Sequence, residues 1–148
     1  MSRKICLLSS SGGHLTELRL LREAYAGYEH FFVVNDRIPL PADMAARTHF
    51  IAHAERDWRV ALNLWEAWRI LRGEKPDLVL TTGAGPAVPF AVCARVLQIP
   101  VIYVETGAQV RTPSLTARLM YPLADRFFVQ WPTLLTRFPR ARLGSLLR

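Results

Sequence analysis

Short, uninterrupted apolar runs alternate with helical segments along the whole chain, and that alternation limits the folds open to it. The runs are Lys4–Ser9, His30–Asn35 (HFFVVN), Thr48–Ala52, Asp77–Thr81 (DLVLT), Val101–Val104 and Arg126–Gln130, with Ala141–Leu147 as a candidate last strand. Helical patterns run from His14 to about Tyr25 and over Glu55–Arg72, Ala87–Leu97 and Leu115–Leu123, with a short one at Pro132–Phe138. Asp36–Arg47, with two prolines, reads as a loop or short broken turn, and Thr106–Ser114 as a polar loop. Strands without polar alternation are buried on both faces, as in a parallel sheet covered by crossover helices. The expectation is an α/β fold: one Rossmann-like domain over residues 1–148, a parallel sheet with helices on both faces. No repeat, low-complexity tract or linker interrupts it.

Ligands of an open parallel sheet sit beyond the carboxyl ends of its strands. Three such ends carry unusual residues. The first strand leads into Ser9-Ser10-Ser11-Gly12-Gly13-His14, with a helix starting at once. The DLVLT strand leads into Thr82-Gly83-Ala84-Gly85-Pro86, and VIYV into Glu105-Thr106-Gly107. Backbone amides freed at a helix start, beside glycines that admit close approach, form an anion site. The first turn is neither GxGxxG nor a Walker loop, because Gly12 and Gly13 are adjacent and no Gly-Lys-Ser follows. Read alone, it is equally an ordinary strand-to-helix turn. His14, in a first helical turn with a side chain that titrates near neutral pH, favours a functional reading.

Charge narrows the ligand. The formal charge is +7, and the only lysines are Lys4 and Lys75, the other basic residues being arginine. Arginine's planar fork suits phosphate and carboxylate, so an anionic surface or phosphorylated small molecule is expected. Nucleic acid is not, since no recognition-helix, RNP or zinc-finger pattern is present. Cys6 and Cys93 read as core residues. His49 and His53 have the only ligand-like histidine spacing but do not lie on a helix, so neither metal nor cofactor is expected. No signal peptide precedes the first strand and no apolar run approaches membrane-spanning length.

The long helix carries more apolar residues than one core stripe needs. At about 100° per residue, Val60, Leu64, Ala67 and Leu71 share one side, read as the core stripe. Trp58, Ala61, Leu62, Trp65 and Trp68 fall on the other, with Arg69 and Arg72 among them. Tryptophan prefers the membrane–water interface and arginine attracts anionic headgroups. Trp58, Leu62, Trp65, Trp68 and Arg69 are therefore expected at a membrane, unless a second protein layer covers them or the two faces are reversed.

SSSGGHLTEL, LTTGAGPAVPF and VIYVETGAQVRTPSLTARLMYPLADRFFVQWPTLLTRFPRA resemble the small subunit of two-part glycosyltransferases. These form the asparagine-linked-glycosylation fourteen family, with bacterial exopolysaccharide relatives of the PssD type. The resemblance spans about Ile5 to Gly144. The glycine turns are also similar to the amino-terminal half of the lipid II-forming GlcNAc transferase, a GT-B enzyme. The resemblance implies a subunit equivalent to the amino-terminal half of a GT-B glycosyltransferase. It would bind a polyprenyl-diphosphate-linked acceptor at the cytoplasmic membrane face, while a separate carboxy-terminal-half subunit binds the UDP-sugar, GlcNAc or glucuronate. Eukaryotic members carry an amino-terminal membrane anchor. This chain begins at its first strand, so peripheral attachment is expected.

Within that resemblance His14 is the candidate base, with Glu105 orienting it or binding sugar. Ser11, Gly12, Gly13, Gly83, Gly85, Arg111 and Ser114 are the candidate diphosphate ligands. Glu105 is equally a structural carboxylate bonding loop amides, and Arg111 and Ser114 equally brace their loop. Two other readings stay open: a non-catalytic membrane recruiter for a catalytic partner, and a free-standing Rossmann-like nucleotide-binding enzyme.

Overall fold

The computed structural model describes residues 2–35, 38–54 and 57–146. Seven strands form one parallel sheet: β1 (Lys4–Ser9), β2 (Glu29–Asn35), β3 (Thr48–Ile51), β4 (Leu78–Thr81), β5 (Val101–Val104), β6 (Arg126–Val129) and β7 (Arg142–Leu143). Their order is β3-β2-β1-β4-β5-β6-β7, with every neighbouring pair parallel. The chain moves outward from β1 on one side, then returns to place β4 on β1's other flank. The order therefore reverses between β1 and β4.

The helices are α1 (Gly13–Leu20), α2 (Arg22–Tyr25), α3 (Ala42–Ala45), α4 (Arg59–Glu74), α5 (Ala87–Val96) and α6 (Leu115–Met120). Successive strand side chains point to opposite faces, and the core divides accordingly. Cys6, Leu8, Phe31, Val33, Val101 and Tyr103 face α4, α5 and α6. Ile5, Leu7, Phe32, Val34 and Val104 face Leu15 and Leu18 of α1, Tyr25 of α2 and Met44 of α3. Both layers expected from the apolar runs are present.

Several expected boundaries move. The helix expected from His14 to Tyr25 is two helices broken at Leu21, whose N–H turns back to Leu18 O. The Asp36–Arg47 stretch contains α3, while Asp36 and Arg37 lie outside the described residues. The long helix starts at Arg59, and the expected start at Glu55 lies outside the described residues. It runs past Gly73 and ends at Lys75, whose left-handed φ of 49° lets its N–H donate to Leu71 O at 3.0 Å. Pro132–Thr136 is a 3-10 turn. Of the strand expected over Ala141–Leu147, the described residues form the two-residue β7, pinned by the Gly144 N–H to Val129 O at 2.9 Å, and Leu147 lies outside them.

The buried stripe of α4 is Asn63, Ala67, Ile70 and Leu71. Ala67 and Leu71 were expected there, but Val60 and Leu64 are exposed. A polar side chain takes part of their place because β3's end needs partners. Asn63 Nδ2 donates to Ala52 O at 2.9 Å, and the Ala52 N–H donates to the Glu66 carboxylate at 3.2 Å. The core therefore sits further round the helix than the aliphatic pattern indicates. Trp58, Trp65 and Trp68 are exposed, with the Arg69 guanidinium over Trp65 and that of Arg72 over Trp68.

Candidate active site

The crevice where the strand order reverses is built by the turns after β1 and β4. Gly12 caps α1 at φ 84°, a left-handed conformation that strains any residue with a Cβ. It turns the chain sharply, so that His14 stands in the first turn of α1. Two reciprocal bonds clip that turn to the next one. His14 Nδ1 lies 2.8 Å from Thr82 O, and Thr82 Oγ1 donates to His14 O at 2.7 Å. A carbonyl only accepts, so Nδ1 carries the ring proton and neutral His14 keeps an unprotonated Nε2. The ring packs against Gly83, where a Cβ would stand 3.4 Å from His14 Nδ1 and 3.6 Å from Tyr103 Oη.

Helices α1 and α5 both begin at this crevice, from opposite faces of the sheet, and bring two positive dipole ends together. Gly12, Gly13 and Gly85 are exposed there. Two other expected phosphate ligands have their amides engaged. The Ser11 N–H donates to Asn35 Oδ1 at 2.9 Å, and the Gly83 N–H donates to Thr81 Oγ1 at 3.1 Å inside the core. An amide already paired within the protein has no proton for a phosphate, so the Ser11 and Gly83 amides shape the turns instead.

Glu105 is fully buried at the end of β5. Its Oε1 accepts from Tyr103 Oη, the Thr106 N–H and Ser114 Oγ, each at 3.0 Å, and its Oε2 accepts from the Ser114 N–H at 2.9 Å. Burial, reinforced by this carboxylate, pushes the Tyr103 phenol well above its ordinary value. No bond joins Glu105 to His14 among the described residues: His14 is oriented by the Thr82 carbonyl, and Glu105 by its own loop. Ser114 is engaged too, since its Oγ caps α6 by accepting from the Ala117 N–H at 2.9 Å. The bracing alternative therefore describes the geometry of Glu105 and Ser114. Arg111 is exposed on the 106–114 loop.

The sequence reading missed the bracing residues. Asn35, at the buried end of β2, holds Ser11 and through Nδ2 meets His53 Nδ1 at 2.8 Å. Glu17, one turn beyond His14, crosses to the 106–114 loop. Gln130 Nε2 donates to Glu105 O at 3.1 Å, and Trp131 Nε1 to Gly107 O at 2.7 Å. A polar residue closing an apolar strand, as Asn35 and Gln130 do, is the signal that marks them.

A parallel sheet with two helix starts and a histidine meeting at its reversal point defines a Rossmann-like domain. Solved structures share that fold. Acinetobacter baumannii MurG matches 88% of the chain with a TM-score of 0.69 at 18% identity. Staphylococcus aureus MnaA with UDP matches 97% with a TM-score of 0.75 at 17% identity. The chain spans only 42% and 44% of those two.

The family described as "Oligosaccharide biosynthesis protein Alg14 like" matches residues 52–147, and the chain belongs to it. The human UDP-N-acetylglucosamine transferase subunit ALG14 is 29% identical over 95% of this chain and 81% of its own length. A Nitrosomonas europaea UDP-N-acetylglucosamine–N-acetylmuramyl-(pentapeptide) pyrophosphoryl-undecaprenol N-acetylglucosamine transferase is 37% identical over 53% of this chain, but only 21% of itself. Among the described residues no helix is long and apolar enough to cross a membrane.

Proposed function

We propose that this chain is the acceptor-binding, membrane-recruiting subunit of a split glycosyltransferase. A separate donor-binding subunit presents a UDP-sugar, GlcNAc or glucuronate. This chain presents a polyprenyl-diphosphate-linked saccharide at the cytoplasmic face of the membrane, to which it attaches peripherally through Trp58, Leu62, Trp65, Trp68 and Arg69. The observation that carries the reading is His14, held by Thr82 through Nδ1 so that Nε2 is left to the crevice, between the starts of α1 and α5.

The exposed amides at Gly12, Gly13 and Gly85, with the two helix dipoles, suit a diphosphate. Arg111 is exposed on a neighbouring loop, where its fork can reach an anion. An inverting transfer needs a base on the attacking hydroxyl. His14 Nε2 takes that proton as the acceptor oxygen attacks the sugar's anomeric carbon and UDP leaves. The resulting imidazolium is stabilised by the Thr82 carbonyl. Glu105 and Ser114 act at one remove, by holding the 106–114 loop. Reconstitution with the complementary subunit tests this: sugar transfer should need both chains and fall sharply with His14→Ala.

One observation favours a second reading, a membrane recruiter that leaves the chemistry to its partner. Glu105, the other candidate catalytic group, is wholly engaged in structural bonds. That reading expects the His14→Ala complex to keep its activity.

A further inference from the structure

Five aliphatic side chains from three helices meet in the open around one groove: Val60 and Leu64 of α4, Val92 of α5, and Leu115 and Leu119 of α6. Each is between 38% and 50% exposed. The groove has a volume of about 730 Å³. Convergence of this kind is not the scatter of single apolar residues normal on a surface.

We propose that this groove holds the first isoprene units of a lipid diphosphate, so that the acceptor is bound by its tail as well as its head. The proposal rests on reading the acceptor as polyprenyl-linked, and it adds a tail site separate from the tryptophan face.

Three observations choose this occupant. The first is what the groove adjoins. Gly85 and Ala54 line it, and a Cβ at Gly85 would approach Ala54 O to 3.3 Å. Gly85 lies just before α5, whose amino terminus is one of the two positive dipole ends at the crevice. A chain lying in the groove thus delivers an anionic head to the end that attracts it. The second is the lining. Among the described residues His53 and Thr116 are its only polar side chains, and Asn35 already engages His53 Nδ1. A peptide would find almost no partners for its backbone groups, each of which needs one when buried. A hydrocarbon chain needs none. The third is the flank. At about 100° per residue, Leu64 lies between the buried stripe of α4 and Trp68. Trp68, with the Arg72 guanidinium over its ring, therefore flanks the α4 wall of the groove. A cation beside an aliphatic slot complements an anionic lipid.

The test uses the full chain in detergent-free buffer, with farnesyl diphosphate and inorganic diphosphate as probes in isothermal titration calorimetry. Farnesyl diphosphate should bind at least roughly tenfold more tightly, since burying even a few methylene groups supplies that ratio. A Leu64→Asn/Leu119→Asn variant should lower it to the level of inorganic diphosphate, whose own binding stays unchanged. Both substituted side chains are exposed, and thermal melting confirms that the variant is folded. A Trp65→Ser/Trp68→Ser variant should keep the preference. Equal affinity of the two probes in the wild-type chain overturns the proposal. So does loss of the preference in the tryptophan variant alone, which would put the lipid on the outer face. A dimer in sedimentation that the Leu64/Leu119 variant disperses would assign the groove to a second copy and equally overturn it. None of these readouts needs sugar transfer, so failure of the transferase reading is seen separately, as an inactive reconstituted complex.

Discussion

The Glu17 carboxylate accepts the Gly107 N–H at 2.9 Å and the Thr106 hydroxyl at 3.1 Å, both through Oε1. It thereby joins α1, which carries His14, to the loop that Glu105 and Ser114 brace from inside. Among the described residues its Oε2 is buried without a hydrogen-bond partner, an arrangement that penalises a charged carboxylate. Truncation and neutralisation should therefore act in opposite directions. Glu17→Ala removes the latch and should destabilise the chain by about 1–3 kcal/mol, with faster hydrogen exchange at the Gly107 amide. Glu17→Gln keeps one acceptor oxygen and discards the charge, so it should be neutral or slightly stabilising. Unaltered Gly107 exchange in the alanine variant would remove the latch.

His14 and Glu105 should separate kinetically in the reconstituted complex. His14→Ala should lower kcat at least the roughly 100-fold typical of losing a general base, with the fold intact. Glu105→Gln puts an amide NH2 against the backbone N–H of either Thr106 or Ser114, a donor that cannot accept. It should cost about 1–3 kcal/mol of stability and raise the acceptor KM by loosening the 106–114 loop. A kcat loss in Glu105→Gln equal to that of His14→Ala, without a change in melting, would place the carboxylate in the chemistry instead.

How far the sequence could be read follows from which groups carry period and which carry partners. The strands were legible because two-sided burial leaves continuous apolar runs, and the unusual turns at their carboxyl ends because they hold Gly12, Gly13, Gly83 and Gly85; the strand order that puts two of these turns side by side was not. Which helix face is core was less so. Val60 and Leu64 look like core by period, but Asn63 is buried in their stead because the Ala52 carbonyl lacks a strand partner, a fact of three-dimensional pairing. Glu105 was left between chemistry and bracing for the same reason. A carboxylate's role depends on the donors around it, and Tyr103 and Ser114 lie two and nine positions away in sequence. Gly85 is exposed, whereas the adjacent turn residue Gly83 is buried, and no spacing rule distinguishes them.

The tryptophan face should be separable from the fold. Trp58 is 74% exposed and Trp65 57%, so replacing Trp58, Trp65 and Trp68 by serine removes little packing. The main loss is two exposed cation–π contacts, each about 0.5–1 kcal/mol. Sedimentation with anionic vesicles should show the wild-type chain bound and the triple variant released, with a nearly unchanged melting temperature. Collapse of the fold would show that these side chains are structural.

A pH effect on stability should come from the opposite end of the sheet. Lys4 Nζ donates to Glu74 Oε2, and His49 Nε2 lies 2.7 Å from Glu74 Oε1. The Lys4 bond, aided by His49, holds the Glu74 carboxyl below its usual range, and the Glu74 bond raises the Lys4 ammonium above its own. Glu74's contribution is full above the ordinary carboxylate range and is lost as pH falls through its lowered value. Lys4's is full below the ordinary lysine value and is lost as pH rises through its raised one. Glu74→Gln should lower stability at neutral pH by about 1 kcal/mol or less and flatten both limbs. An unchanged acid limb in chemical denaturation would dismiss the cluster as a pH determinant.

The partner should bind where the sheet is least covered. On the face of α1, the helices pack over the β1 and β2 side, while Leu78, Ile102 and Phe128 of β4, β5 and β6 remain only partly buried. Residues 143–146 are built into this region. Leu146 packs with the same cluster and donates its N–H to Gln130 Oε1 at 3.2 Å, and a Cβ at Gly144 would lie 3.6 Å from Phe128. Leu143, by contrast, is half exposed on β7. Deleting Leu143 to Arg148 should therefore do two things: weaken association with the donor-binding subunit and lower the melting temperature, because it uncovers Phe128. Leu143→Asp separates them, since it alters an exposed side chain while leaving Leu146 in place. It should weaken co-purification of the two subunits with little change in melting, and transfer should be restored by raising the partner's concentration. Wild-type affinity in Leu143→Asp would exclude β7 from the interface. Sugar transfer by this chain alone would sink the two-subunit reading itself.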